Sequence, residues 1–562
     1  MIGKRRSQGA LFDVGNVFPV TLKPGSFHAQ LAAASGRLFS DADFAAFYSE
    51  RTGRPSVPPS LLALTVLLQN EACVSDEEAI ERTAFDLRWA AVLGRQAGEP
   101  LCVRSTLELF RAHLLLHNEV RRIFLCSIRE AKRAGLLKGK ALRIAVDTKP
   151  IEGRGAVQDT YNLLASGIVQ LSSAIAKALR QKPDDWMRAK GLQRYVQPSI
   201  KGSADIDWAD EAARNALLAQ IVSDARGLLQ IAGRSHTDTK EAARLLEALL
   251  LQDVEETISS TGGPQAQIKQ GTAKGRIPSA TDPQQRHGRK SKSKTFTGAK
   301  ASVAVDIESQ IIVATDVLSG DAPDNYGTLQ LVVQAEANAG QPVAETIGDC
   351  AYGDGETRQA FADAQRELLA KVPKEADRGG LFPKSAFQID LERNTVTCPA
   401  GQTTTTYVNT KEGGKVFQFR AACNGCALRP QCMKPVSEQK TPYAGRTIRI
   451  HPQEALLQAA RAYQQTPQGR AHLRERVVVE HRLARLGQLG IGKARYIGLN
   501  KTGFQLMLAA TVANLRRTWN WAATASTSPR TGPSDAPKRT QPCQNRWIYT
   551  MIHIFRRALS AA

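Results

Sequence analysis

The chain has 562 residues, 42% of them hydrophobic, and its 75 Lys and Arg outweigh 53 Asp and Glu to give a net charge of +22. That composition excludes wholesale disorder and suits roughly 3–4 domains. The basic balance favours a polyanionic partner, and apolar runs such as Leu61 to Leu68 fall short of the ~20 residues that span a membrane.

Residues 1–140 read as a helical N-terminal domain. Pro58-Pro59-Ser60 opens one helix, and Ser75 followed by Glu78 has the spacing of a helix cap. Leu107, Leu109, Phe110, Leu114 and Leu115, then Val120, Ile123 and Phe124, continue a helical stripe. Lys4-Arg5-Arg6 precede no apolar stretch of signal-peptide length, so the protein is expected in the cytoplasm, where DNA is within reach.

At residue 141 the pattern changes. The alternation Leu142, Ile144, Val146 predicts a strand ending at Asp147, followed by the turn Glu152-Gly153-Arg154-Gly155 and a helix from Thr160. Residues 207–258 read as helical. The segment 261–294 is polar and rich in Gly and Lys, and reads as a mobile basic connection. Two strands flank Asp306-Ile307-Glu308-Ser309-Gln310 as a hairpin. A helix over about 325–338 leads to a strand ending at Asp349, and Gly355-Glu356 opens another helix.

Residues 370–452 lose helical periodicity and predict a small β-rich insert. Helical pattern resumes at 453 and runs to about 520, and 521–562 reads as a flexible tail holding a short apolar stretch from Ile548 to Phe555. The expectation is an α/β fold whose central domain, 141–369 with 453–520, carries the helical and β-rich inserts.

Three carboxylates stand out: Asp147, Asp349 and Glu480. Two strand-end aspartates and a helix glutamate suit Mg²⁺ or Mn²⁺, hard cations that take carboxylate oxygens, and two such ions serve phosphodiester chemistry. Arg476 lies four residues before Glu480 on the same helix face, placed to pair with it or to reach a DNA phosphate. Glu475 is the alternative third carboxylate. Lys493, Arg495, Tyr496 and Lys501 form a basic, partly aromatic stretch suited to phosphate contact. Lys290, Lys292, Lys294 and Arg154 are further candidates for the DNA backbone.

The segments AVDTKPIEGRGAVQDTYNLL, GRKSKSKTFTGAKASVAVD, TIGDCAYGDGETRQAF and RERVVVEHRLARL, with ARYIGLNKTGFQLMLAATVANLRR after them, resemble bacterial insertion-sequence transposases of the DDE type. The resemblance covers about residues 10–520. It implies a ribonuclease H-like mixed sheet flanked by helices and makes Asp147, Asp349 and Glu480 the metal-binding catalytic triad. It also implies that the helical N-terminus helps bind the element's terminal inverted repeats. Many relatives carry Tyr, Arg, Glu and Lys around the helix glutamate. This chain matches at Arg476 and Glu480, but Leu473 stands at the Tyr position and Gly487 at the Lys position.

Cys398, Cys423, Cys426 and Cys432 have spacing suited to one tetrahedral Zn²⁺, a structural clip for a small insert. Cys73, Cys102 and Cys126 read as buried core thiols. The function expected is transposition: double-stranded DNA at inverted repeats and target, cleavage and strand transfer at one triad, and a dimer or higher oligomer on DNA. A catalytically inactive DNA-binding remnant and a metal-dependent nuclease without joining activity are the alternatives.

Overall fold

The computed structural model describes residues 1–5, 11–18, 22–49, 51–232, 239–258, 264–291, 293–373, 375, 379–434 and 445–527. Contacts divide the chain into Met1–Asn520 and Trp521–Ala562. Of the second unit, residues 521–527 are described and are helical; the apolar stretch from Ile548 lies outside the described residues.

The N-terminal helices form where capping residues start them. Ser26 accepts from the Ala29 amide at 3.2 Å, Pro59 occupies the first turn of Pro59–Ala72, and Ser75 accepts from Glu78 at 3.1 Å. Pro59–Ala72 is buried at every position from Pro59 to Gln69, so it is the central helix of this layer. Phe44, Phe47 and Phe110 stack beside it with ring centroids 5.5–6.0 Å apart. Leu109 of the expected stripe is exposed, whereas Leu107, Phe110 and Leu114 are buried.

Strand β1 runs from Leu142 to Glu152. Asp147 therefore lies mid-strand, which corrects the expectation that it ends one. The apolar pattern stops at Val146, but β1 stays paired through polar Thr148-Lys149 and even Pro150, because ladder hydrogen bonds do not depend on side-chain polarity. After β1 come a short hairpin, β2 (Val254–Ile258) and β3 (Pro264–Ile268), then β4 (Arg286–Arg289), β5 (Thr295–Asp306), β6 (Ile312–Ser319), β7 (Val343–Gly348) and β8 (Leu368–Ala370). The main sheet has the order β4-β5-β1-β7-β8, with β6 also paired to β5. β1 is antiparallel to β5 from Ile144↔Asp306 to Glu152↔Gly298, and parallel to β7 only as far as Ala145↔Ile347. Asp147 thus sits two residues past the end of the parallel pair, level with Asp349, which follows β7. The fold is the expected mixed α/β sheet flanked by helices.

The helices Thr160–Ala178, Glu211–Ala232 and Lys240–Asp253 pack together with the β2–β3 hairpin around their own core. Residues 254–258, expected as helix, are strand β2. The basic connection expected at 261–294 is also corrected: its described residues include β3, β4 and the buried Ser279, Asp282 and Gln285. Gln285 donates to the Gly155 carbonyl at 2.9 Å, and Arg276 pairs with buried Asp253 at 2.7 Å. These buried polar contacts hold a segment whose composition alone suggested a loose linker.

The insert is β-rich as expected. β9 (Gln388–Asp390), β10 (Thr395–Thr397) and β11 (Thr403–Thr404) form one sheet, and β12 (Tyr407–Asn409), β13 (Lys415–Gln418) and β14 (Thr447–Ile450) another. Phe387, Val396, Phe417 and Ile448 make its core. Beyond it, Pro467–Arg474 and Val477–Gln488 lie over β1, and the last helix, which begins at Leu499, runs past β6 as far as Asn514. Asn514 on that last helix accepts from the Ile312 amide at 2.8 Å and donates to its carbonyl at 2.9 Å and to Ser127 at 3.2 Å. One satisfied buried amide therefore joins sheet, last helix and N-terminal layer. Among the described residues no single helix is long and apolar enough to cross a membrane.

Candidate active site

Side chains alternate along β1, so Arg143, Ala145, Asp147 and Lys149 share one face. The helices Pro467–Arg474 and Val477–Gln488 cover that face. Arg143 donates to Glu475 at 2.7 Å and to Glu345 on β7 at 3.0 Å, and His472 lies 2.9 Å from the same Glu345. Glu475 is thus held as an ion-pair partner at the far end of the strand, which argues for Glu480 as the third carboxylate.

Asp147 and Glu480 meet through Arg476. One guanidinium nitrogen lies 3.5 Å from Asp147 Oδ2 and the other donates to Glu480 Oε1 at 2.5 Å. The pairing with Glu480 anticipated from the four-residue spacing is present, and the contact with Asp147 adds to it. Val479, Leu483 and Leu486 anchor this helix, and Val477 is exposed. Asp349 caps the turn after β7, accepting from the Ala351 amide at 2.8 Å.

Burial pushes the Asp147 carboxyl up to about 6, reinforced by the charges of Asp349 and Asp324 and opposed by the Thr148 amide and Arg476. Two members of this cluster, Asp324 and Tyr352, escape a reading of the sequence alone. Asp324 is held by Lys300, whose buried ammonium donates to it and to the Ala322 carbonyl, both at 2.7 Å. Lys300 interrupts the small apolar run Ala299 to Ala304, and that interruption was the available signal. Tyr352 is 1% exposed, packs its ring against Gly348, and leaves its hydroxyl without a partner among the described residues. Burial, then Asp147, Asp324 and Asp349, push that hydroxyl well above its ordinary value.

Among the described residues, no three His, Cys, Asp or Glu side chains converge closely enough to hold a metal ion. At the carboxylates, a guanidinium stands between Asp147 and Glu480. The donor set is nonetheless hard oxygen only, with the buried Asp147 undercompensated, and in its chemistry it fits a divalent cation such as Mg²⁺ or Mn²⁺.

The cysteines are different. Cys398, Cys423, Cys426 and Cys432 line one cavity of about 20 Å³ together with Phe387, Phe419 and Arg446. The expected Zn²⁺ site is therefore not supported: the four thiols gather without converging, and Cys432 packs in the insert's apolar core. Arg446 donates its amide to Cys423 at 3.3 Å and its guanidinium to the Cys432 carbonyl at 3.0 Å, bracing the same loops. Of the other thiols, Cys126 is buried as expected, but Cys73 is exposed and Cys102 half-buried.

The candidate DNA contacts divide. Lys290, Lys294 and Lys493 are exposed, and Lys292 lies outside the described residues. Arg154 is exposed and donates to the Arg495 carbonyl at 2.8 Å. Arg495, read from sequence as a phosphate contact, instead donates to Asp76 at 2.6 Å and to the Val74 carbonyl at 2.9 Å. A basic side chain next to a half-buried carboxylate on another layer is used there as a strut.

Residues 22–113 match a family model described as Transposase domain (DUF772), and residues 397–519 match one described as Transposase DDE domain. The second match contains Glu480 and Arg476; neither match contains Asp147 or Asp349. No curated protein and no solved structure matches the chain. Over these two stretches the chain is similar to transposase domains, which is consistent with an insertion-sequence transposase of the DDE type.

Proposed function

We propose that this protein binds the terminal inverted repeats of an insertion sequence and catalyses metal-dependent DNA cleavage and strand transfer, with Asp147, Asp349 and Glu480 as the ligand set. The observation that carries the reading is the undercompensated carboxylate cluster beneath Arg476. Asp147 and Asp349 sit level at one end of the parallel strands, and Glu480 is joined to Asp147 by a shared guanidinium.

Mg²⁺ or Mn²⁺, when bound by these three, supplies activation of the attacking oxygen and charge stabilisation at the phosphate. The chain's own residues do the rest. β1 and β7 fix the two aspartates on rigid backbone, and Lys300 holds the Asp324 loop beside them. Arg476 neutralises Asp147 and Glu480 and can offer its fork to a phosphate once they turn to a cation. Hydrolysis at the element's end frees a 3′-hydroxyl, and that hydroxyl attacks a target phosphodiester at the same site, expelling a 3′-oxygen. Lys290, Lys292, Lys294, Arg154 and Lys493 track the backbone, and the protein works as a dimer or higher oligomer on DNA at the nucleoid.

The test is incubation of purified protein with Mg²⁺ and duplex carrying candidate ends, scoring free 3′-ends and joined products separately. Asp349→Asn is expected to lose both by about a thousandfold or more while retaining DNA binding, the scale of removing one essential part of a transition-state clamp. Wild-type cleavage in that variant would remove Asp349 from the site. Free ends with no joined product would reassign the protein as a nuclease.

A further inference from the structure

The β1 face that carries Asp147 holds three charged side chains, and two of them are paired across to the covering helices. Arg143 meets Glu475 and His472; Asp147 meets Arg476. The third, Lys149, meets Gly487. A Cβ built on Gly487 would lie 3.3 Å from both Cε and Nζ of Lys149. Gly487 follows Glu480 by seven residues, two turns on, so it lies on the same stripe of the helix. The lysine arm therefore crosses the helix at a residue without a side chain, and its ammonium occupies the space that any larger residue at 487 would take.

Lys149 is half-buried and has no hydrogen-bond or ion-pair partner among the described residues. Other shielded lysines of this chain do have one: Lys300 bonds Asp324 and Lys384 bonds Glu454. An ammonium that no carboxylate or carbonyl engages is free to take an anion. The position is one strand repeat, roughly 7 Å, from Asp147, which is the side on which the substrate backbone must lie if Asp147 is in the cleavage site.

We infer that Lys149 binds a DNA backbone phosphate next to the one acted upon, fixing the strand's register over the carboxylates. The inference rests on the reading of Asp147, Asp349 and Glu480 as the cleavage site. Lys149 gives a point charge that carries no base information, so its contribution is the same for every sequence.

The experiment measures binding of the full chain to duplex with candidate ends, and to unrelated duplex, between 50 and 200 mM salt, beside single-turnover cleavage. Lys149→Gln is expected to weaken both DNAs by the same factor and to lower the salt slope by about one. Lys149→Arg should keep the slope, and Lys149→Gln with Gly487→Lys, which returns the charge from the helix, should regain it. If Lys149→Gln lowers the thermal midpoint, Gly487→Met in the wild-type background displaces the ammonium without altering β1 and must lower the slope likewise. Unchanged slope and cleavage in Lys149→Gln would overturn the assignment. Normal cleavage by Asp349→Asn would instead overturn the underlying site, so the two failures are distinct.

Discussion

Two half-buried aspartates, each beside an arginine, are treated in opposite ways by this fold. Asp76 starts a helix in the N-terminal layer. Burial raises its carboxyl, but Arg111, Gln69 and Arg495 outweigh that and bring it down to about 2. Its oxygens accept from Gln69 at 2.7 Å, from Arg111 at 2.7 Å and from Arg495 at 2.6 Å. Asp147 has one arginine at 3.5 Å, one backbone donor at 2.8 Å, and two other carboxylates whose charges raise it further. A carboxylate whose lone pairs are filled by donors is a structural joint. One that is buried with its charge unmatched is held ready for a ligand.

The comparison breaks first at Asp349→Asn, whose thousandfold effect on chemistry is set out above and should come with little change in stability. The next largest effect is structural. Asp76→Ala leaves Arg111, itself buried, and Arg495 without their shared anion, and removal of one partner from such a node costs about 3–5 kcal/mol. Urea denaturation should show that loss. Because Asp76 joins the N-terminal helices to the segment carrying Lys493 and Arg495, DNA cleavage should fall with it. A loss under 1 kcal/mol would mean that the node is solvated and not a joint.

Asp147 should answer with the opposite sign. Its folded-state value near 6 lies above the unfolded value near 3.8, so the folded state holds the proton more tightly. The corresponding stability is present below pH 4 and is lost as pH rises through 6. The difference of about two units corresponds to about 3 kcal/mol at neutral pH. Asp147→Asn in EDTA is therefore expected to raise the thermal midpoint at pH 7.5, with the gap closing as pH falls from 6 to 4, while activity is lost. Asp76 contributes stability that is present above pH 4 and lost as pH falls toward 2. A midpoint for Asp147→Asn at or below wild type at pH 7.5 would place Asp147 with Asp76 as a structural residue.

The difference between the two aspartates was only half legible in sequence. Asp147, Asp349, Arg476 and Glu480 are readable as candidates because a strand, a strand–turn junction and the four-residue helix spacing are local patterns, and the structure adds the contacts of Arg476 with Asp147 and Glu480. The starts of the helices at Pro59, Asp76 and Thr160 and the hairpin around Ser309 were local too. What needed three dimensions was pairing. Arg495 reads as a free cation until Asp76, more than four hundred residues earlier, lands beside it. Segment 261–294 reads as a linker until Gln285 finds the Gly155 carbonyl. The four cysteines have the spacing of a zinc clip, but spacing does not fix convergence, and the apolar core of the insert takes up Cys432. Lys149 passed unnoticed beside its aspartate because only the bare helix position at Gly487 shows where its ammonium goes.

The smallest expected effect concerns Tyr352. Its ring fills the space over Gly348, where an added Cβ would come within 2.7 Å of it, so the aromatic body is needed for packing. Its hydroxyl is buried beside the carboxylates with no partner among the described residues. Leaving a buried hydroxyl unsatisfied costs about 1–3 kcal/mol, so Tyr352→Phe should be neutral or should stabilise the metal-free protein by about 1 kcal/mol, read from its thermal midpoint. Were the hydroxyl only a packing remnant, cleavage would be unchanged as well. If it donates to Asp147 or Asp349 when their orientation changes on binding a cation, Tyr352→Phe should bind Mn²⁺ about threefold to tenfold more weakly than wild type, with no loss of fold. A stabilised variant with weaker Mn²⁺ binding separates a held-ready site from a joint at the level of one oxygen atom, since removing a donor from the Asp76 node can only destabilise.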